Sequence, residues 1–261
     1  MSSTLTSGRT NRVQAIARAT DVLFALSAGP QTLTDVSRSS GLSKGTAYRL
    51  LDTLSYKMLV IKEEKSNLYM LGPGALMLLE GVLSGVGRLI GASQSTLTRL
   101  WEESNETVTI HLRVGGERVC VYEMPSRNPL RFTTGVGTRT PLHAGSAGKA
   151  ILAAMSPEDL DDLLHKMTLN RLTDRTLTDP TALARDLARI RRQGYSISLG
   201  EVVVGAAAVS IALRGSRGVL GSMSVLGPAS RMNQARQRHF AQSLIEAGTK
   251  VEAVLADSVA G

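Results

Sequence analysis

The sequence predicts an α+β protein of 261 residues, with helices and one short strand pair at the N-terminus and strand pairs interleaved with helices further on. Three observations carry this. Thr107–Val114 and Glu117–Met124 alternate around Gly115-Gly116, a hairpin signal. Ala206–Leu213 and Val219–Leu226 form a second pair across Arg214-Gly-Ser-Arg-Gly. Between and after them lie helical patterns over Pro180–Gln193, stopped by Gly194, and over Asn233–Leu255. Strands that pair with their sequence neighbours argue for an antiparallel sheet rather than a doubly wound parallel one.

The N-terminal elements follow in order. Residues 1–11 are small and polar, and read as a flexible arm. Val13, Ile16, Ala17, Leu23 and Leu26 recur at helical spacing until the breaker pair Gly29-Pro30. Thr32 or Thr34 can cap a second helix that runs to about Ser39. Gly41 makes a turn, and Ser43 caps a third helix from Lys44 to about Tyr56. Met58–Lys62 and Asn67–Leu71 read as two strands joined by Glu64-Lys65-Ser66, and Gly72-Pro73-Gly74 closes the block. Residues 12–74 therefore form one domain. Residues 75–103 continue as a linker helix interrupted by Gly81, Gly85, Gly87 and Gly91, and 104–261 form a second domain. A further helix is expected from about Ser146 to Met155.

The formal net charge is +8, and residues 1–75 hold nine Lys and Arg against five Asp and Glu. Such a field attracts polyanions. With a single cysteine, Cys120, no disulfide framework or thiolate metal site can form within one chain. No apolar run approaches the roughly 20 residues that span a bilayer, and the first residues lack a secretory pattern. A cytoplasmic protein without a membrane segment is the simplest reading. The residues also support no catalyst, metal or cofactor. His111, His143, His165 and His239 lack metal-ligand spacing. Around His143–Ala150 both the phosphate-loop and nucleophile-elbow patterns fail: His143 replaces the first Gly, Ala150 follows Lys149, and Ser146 lacks a spacer.

The third helix carries the strongest functional pattern. On a wheel of ~100° per residue, Leu50, Leu51 and Leu54 share a stripe with Ala47. Gly45, Arg49 and Asp52 lie opposite, flanked by Thr46, Tyr48 and Thr53. One face is thus built to pack, and the other offers a cation and hydroxyls suited to the major groove of DNA. Ser43 and Lys44 stand at the helix start, where free N–H groups favour a phosphate. Gly45 leaves room for close approach. Arg38 on the preceding helix and Lys62 and Lys65 on the strand pair add cations, which completes a winged helix–turn–helix.

At this point the sequence resembles a known family. VQAIARATDVLFAL, LTDVSRSSGLSKGTAYRLLDTLSYKMLVIKEE and YMLGPGALML resemble the N-terminal domain of IclR-family transcriptional regulators. PLHAGSAGKAILA, RTLTD, RIRRQGYSIS, GEVVVGAAA and SVLGPASRM resemble that family's effector-binding domain, in the same order. The resemblance implies a homodimer or tetramer joined through the N-terminal half, a double-stranded DNA operator as partner, and a GAF-like domain holding a small organic-acid effector. It places the effector carboxylate at the backbone amides of Ser146 and Ala147, a wall at Phe132, and further contacts at Ser198, Ala208, Ser224 and Leu226. Relatives that bind small oxo-acids carry Asp, Cys and Ser where this chain has Ser198, Ala208 and Leu226. The expected ligand keeps an anionic group and adds an apolar or aromatic body. The alternatives are an architectural DNA binder with a vestigial sensor domain, or an enzyme that uses the C-terminal cavity.

Overall fold

The computed structural model describes residues 13–82, 87–215 and 218–257. The arm expected over residues 1–11 and the middle of the turn at 216–217 lie outside them. The chain divides into two compact units, Met1–Gly85 and Val86–Gly261.

In the first unit, α1 (Gln14–Ser27), α2 (Leu33–Ser39) and α3 (Lys44–Tyr56) precede a two-stranded antiparallel sheet, β1 (Val60–Glu63) and β2 (Leu68–Leu71), and then α4 (Gly74–Val82). Thr32 caps α2 by accepting from the Asp35 N–H, and Ser43 caps α3 by accepting from the Thr46 N–H. The core comprises Val22, Leu26, Val36, Ala47, Leu51, Leu54, Val60 and Tyr69. The predicted stripe on α3 is therefore the buried one, with Leu50 half-buried at its edge. On α1 the outcome differs. Val13 and Ile16 share the apolar period but are 63% and 65% exposed, because among the described residues the helix packs through Ala19, Val22, Leu23 and Leu26.

In the second unit, α5 (Arg88–Ser104) leads into β3 (Thr107–Val114), β4 (Glu117–Met124) and β5 (Arg139–Pro141). Then come α6 (Gly145–Ala154), α7 (Pro157–Lys166), α8 (Pro180–Gln193), β6 (Ser196–Leu199), β7 (Ala206–Gly215), β8 (Gly218–Pro228) and α9 (Gln234–Asp257). The strands form one six-stranded antiparallel sheet in the order β5-β4-β3-β8-β7-β6. The stretch expected as one linker helix is helical as α4 and α5, with residues 83–86 outside the described set. Leu89, Leu97 and Leu100 of α5 belong to the main core of this unit, so α5 is an integral layer of it.

Strand alternation sorts the sheet into two chemically different faces. Val108 and Ile110, Val209 and Ile211, and Met223 and Val225 pack with α5 and α9. The residues between them, Thr107, Thr109, Ser210, Ser222 and Ser224, point the other way and are equally buried. That hydroxyl-rich face lies on the side of α6, which packs on β6, β7 and β8 and is backed by α8. A second apolar cluster, centred on Leu142, Ile151, Leu152, Leu183, Leu187 and Ile190, fills the space beyond α6. At one end of the sheet the buried Glu106 carboxylate accepts two hydrogen bonds from Arg231, at 2.6 and 2.8 Å.

Candidate functional sites

In the first unit, α3 presents Lys44, Gly45, Tyr48 and Arg49 as exposed residues, with Thr46 half-buried. Ser43 donates to the Thr46 hydroxyl at 3.0 Å and accepts from its N–H at 3.3 Å, so it orders the first turn of the helix. Arg49 has no carboxylate partner within salt-bridge distance among the described residues. Arg38, in contrast, is held by Asp35 at 3.2 Å. Lys62 lies across the sheet from Tyr69, 5.9 Å from its ring centroid. Lys65 is exposed in the turn, where Glu63 accepts from the Ser66 hydroxyl. Glu63 and Glu64 cancel the two lysines, so the wing carries no net charge.

In the second unit, the hydroxyl-rich face and the start of α6 enclose a cavity of about 160 Å³. All seven residues that the family resemblance singled out, Phe132, Ser146, Ala147, Ser198, Ala208, Ser224 and Leu226, line it. Ser146, Ser210 and Ser224 form a hydroxyl chain, with oxygens 2.7 and 2.8 Å apart. At the helix start, Gly145 takes φ +80°, and a Cβ there would sit 2.9 Å from Val202 and 3.4 Å from the Arg118 guanidinium. Only glycine fits this turn without strain. The Gly145 N–H donates to Glu201 at 3.0 Å. The Ser146 and Ala147 N–H groups follow in the first turn, where an α-helix supplies no acceptor of its own.

The same wall holds residues that the sequence reading did not assign to it: His111, Arg118, Thr138, Thr140 and Glu201. Arg118 donates to the carbonyls of Ala144 (2.7 Å) and Pro141 (3.3 Å), and its Nε has no partner. Burial lowers it to about 10, which leaves it charged at neutral pH. His111 places Nδ1 3.4 Å from the Thr109 hydroxyl and leaves Nε2 without a partner. Burial, reinforced by the Arg118 charge, lowers its pKa to about 3, so the ring is neutral. Cys120, behind this wall, is buried, and burial raises its thiol to about 11. Lys149 is fully buried on α6, 2.5 Å from Glu201 and 2.8 Å from Asp186. Its role is structural, and the phosphate-loop likeness around it has no geometric counterpart. Among the described residues no group of three His, Cys, Asp or Glu side chains could hold a metal ion, and no helix is long and apolar enough to cross a membrane.

A winged helix–turn–helix in one unit and a ligand-sized cavity under a helix start in the other define a DNA-binding regulator with an attached sensor fold. Residues 15–60 match the IclR helix-turn-helix domain, and residues 84–253 match the Bacterial transcriptional regulator IclR C-terminal family. The chain belongs to the IclR family of transcriptional regulators. It is 31% identical to the HTH-type transcriptional regulator BhcR of Paracoccus denitrificans, across 92% of this chain and 86% of that one. It is 30% identical to the transcriptional repressor IclR of Escherichia coli, across 94% and 91%. Among solved structures, an IclR homolog from Microbacterium hydrocarbonoxydans, complexed with 4-hydroxybenzoate, superimposes with a TM-score of 0.75 at 25% identity, across 93% of this chain and 99% of that one. BhcR and IclR are transcriptional regulators, not enzymes.

Proposed function

We propose that this protein binds a double-stranded DNA operator through α3, and that a small organic acid in the cavity of the second unit controls that binding. The observation that carries the reading is the convergence of the seven expected effector residues on one cavity beside the first turn of α6. Unpaired N–H groups at a helix start favour an anion, and the Ala208 and Leu226 side supports an apolar body. The relative complexed with 4-hydroxybenzoate supports an acid of this kind. Arg49 reads base edges or phosphate from the middle of the exposed face of α3. Lys44, Gly45, Thr46 and Tyr48 line the approach, while Lys62 and Lys65 touch the backbone.

A second copy of the chain completes the DNA-binding form. Val13 at the start of α1, Ile16 and Phe24 on it, and Leu76, Met77 and Leu78 on α4 are all more than 60% exposed, and covering them by self-association removes that surface from water. A homodimer, or a tetramer made of two, presents α3 twice to a two-fold operator. Such a regulator works in the cytoplasm.

The effector acts by binding one arrangement of the two units more tightly than another, which a population shift requires. Electrophoretic mobility shift with DNA from upstream of its own gene, titrated with and without a panel of aromatic and short-chain acids, tests the reading. A shift that responds to an acid supports it. A shift indifferent to every acid returns the architectural alternative, and no shift at all removes DNA binding.

A further inference from the structure

The cavity contains a buried positive charge without a negative partner. Arg118 is only 6% exposed, yet no carboxylate lies within salt-bridge distance of it among the described residues. Buried guanidinium groups are ordinarily paired, because removing a charge from water is costly unless another charge or a full set of hydrogen bonds replaces the solvent. Here two carbonyls satisfy one terminal nitrogen, and Nε is left over. Glu201 acts on Arg118 through space, but its oxygens are already committed to the Gly145 N–H and to Lys149. Lys149 in turn is consumed by Glu201 and Asp186. Among the described residues of this wall, Arg118 is therefore the charge left without a carboxylate partner. Beside it, His111 leaves Nε2 unsatisfied as well. Native proteins tolerate few such atoms, so two in one cavity wall call for a partner there, water or ligand.

Position narrows the chemistry. A Cβ on Gly145 would lie 3.4 Å from the Arg118 guanidinium, so the arginine adjoins the first turn of α6. A carboxylate placed there would take charge-assisted bonds from the guanidinium on one side and helix N–H groups on the other. The opposite end of the cavity is apolar, with Phe132, Val203, Ala208 and Leu226. A cavity near 150 Å³ holds about one benzene ring, and this one encloses about 160 Å³.

We infer that Arg118, with His111 beside it, is the specificity-determining pole of this cavity: it selects a monocarboxylate whose body is no larger than a single ring or a short branched chain. The inference rests on the reading of the cavity as the effector site and adds its counter-charge. A dicarboxylate is disfavoured, because its second anion would face alanines and Leu226 without a cation.

Calorimetry on the full-length protein tests this with benzoate, 4-hydroxybenzoate, 3-methylbutanoate, terephthalate and the neutral benzamide. Three forms are compared: the wild type, Arg118→Gln, and Ala208→Phe, which fills the apolar end. Circular dichroism and melting confirm that each variant is folded; Arg118→Gln gives up the bonds to the Ala144 and Pro141 carbonyls, so affinities are compared well below its melting temperature. The expected result is that a monocarboxylate binds the wild type and loses about 10- to 100-fold in affinity in Arg118→Gln, while terephthalate binds more weakly and Ala208→Phe abolishes binding. If the acid binds, Ala208→Phe blocks it and Arg118→Gln leaves its affinity unchanged, the role of Arg118 is overturned and the effector reading stands. If none of the acids binds the wild type, or Ala208→Phe leaves binding intact, both fall.

Discussion

Lys149 and Glu201, 52 residues apart in sequence, meet at 2.5 Å in the interior of the second unit and fasten α6 to the loop between β6 and β7. Asp186 on α8 closes on the same ammonium at 2.8 Å, and Arg189 holds Asp186 from outside. The start of α6 is thus positioned by charge as well as by packing, and the cavity takes its shape from that position.

Removing the cation from this arrangement strands two carboxylates. Lys149→Met should destabilise the second unit by about 3–5 kcal/mol, the usual consequence of breaking a buried ionic group from one side. Burial pushes the Asp186 carboxyl up, but bonds from Lys149 and Arg189 outweigh it and hold it below its ordinary value. The triple change Lys149→Met, Glu201→Gln, Asp186→Asn should recover part of the loss, since neutral amides do not repel. Chemical denaturation of the two forms checks this, and equal loss in both would show that packing rather than charge dominates.

DNA binding should separate by residue type. Arg49→Ala should abolish the operator shift while leaving the melting temperature unchanged, because the side chain is exposed and has no salt bridge among the described residues. Lys65→Ala should weaken binding to every DNA alike and reduce the slope of log affinity against log salt by about 1, as expected for one lost phosphate contact. Arg38→Ala should cost less than Arg49→Ala, since Asp35 already holds that guanidinium. Fluorescence anisotropy at several salt concentrations measures all three.

Acid should act on the cavity wall through His111. Its folded pKa of about 3 lies below the ordinary value of 6.5, so the folded protein keeps the ring neutral while the unfolded chain takes up a proton. The stability this contributes is present above pH 6.5 and is lost as pH falls toward 3, at up to about 1.4 kcal/mol per pH unit. His111→Asn cannot titrate. Its unfolding free energy should therefore fall less steeply than that of the wild type between pH 6.5 and 4, by denaturant titration at each pH. Parallel curves would place the ring's proton elsewhere.

How much of this was legible in the sequence depended on where each side chain ended up. The hairpin of β3 and β4 and the helix α8 were readable to the residue, because Gly115-Gly116 forces the turn and Asp179-Pro180 and Gly194 mark the helix ends. The helix α7 was missed although Ser156 caps it and Pro157 opens it; it buries no residue fully, and Leu160, Leu163 and Leu164 only partly cover the cluster around Leu142 and Ile151. The cavity was found through family likeness, not through physics. Ser196, Ser210 and Ser224 alternate with aliphatic residues, as in a strand with one face in water, and no local pattern says that α6 roofs that face. Arg118 was overlooked for the same reason: an arginine in an alternating strand reads as exposed until its roof is known. At the start of α1, Val13 and Ile16 carry helical periodicity yet stay exposed among the described residues of their unit.

Gly45 offers the cleanest separation of folding from DNA binding. It occupies the second position of α3 and is exposed, and a Cβ built on it meets nothing within 4 Å. Among the described residues no contact therefore requires glycine there, and its backbone lies within a helix, where alanine is preferred by up to about 1 kcal/mol. Gly45→Ala should then raise the melting temperature slightly. If the helix start must approach a phosphate closely, the same methyl group stands in the way, and operator affinity should drop several-fold. Thermal melting and anisotropy on one preparation give both numbers. A variant that is more stable and binds DNA as tightly as wild type would move the phosphate contact away from this end of the helix.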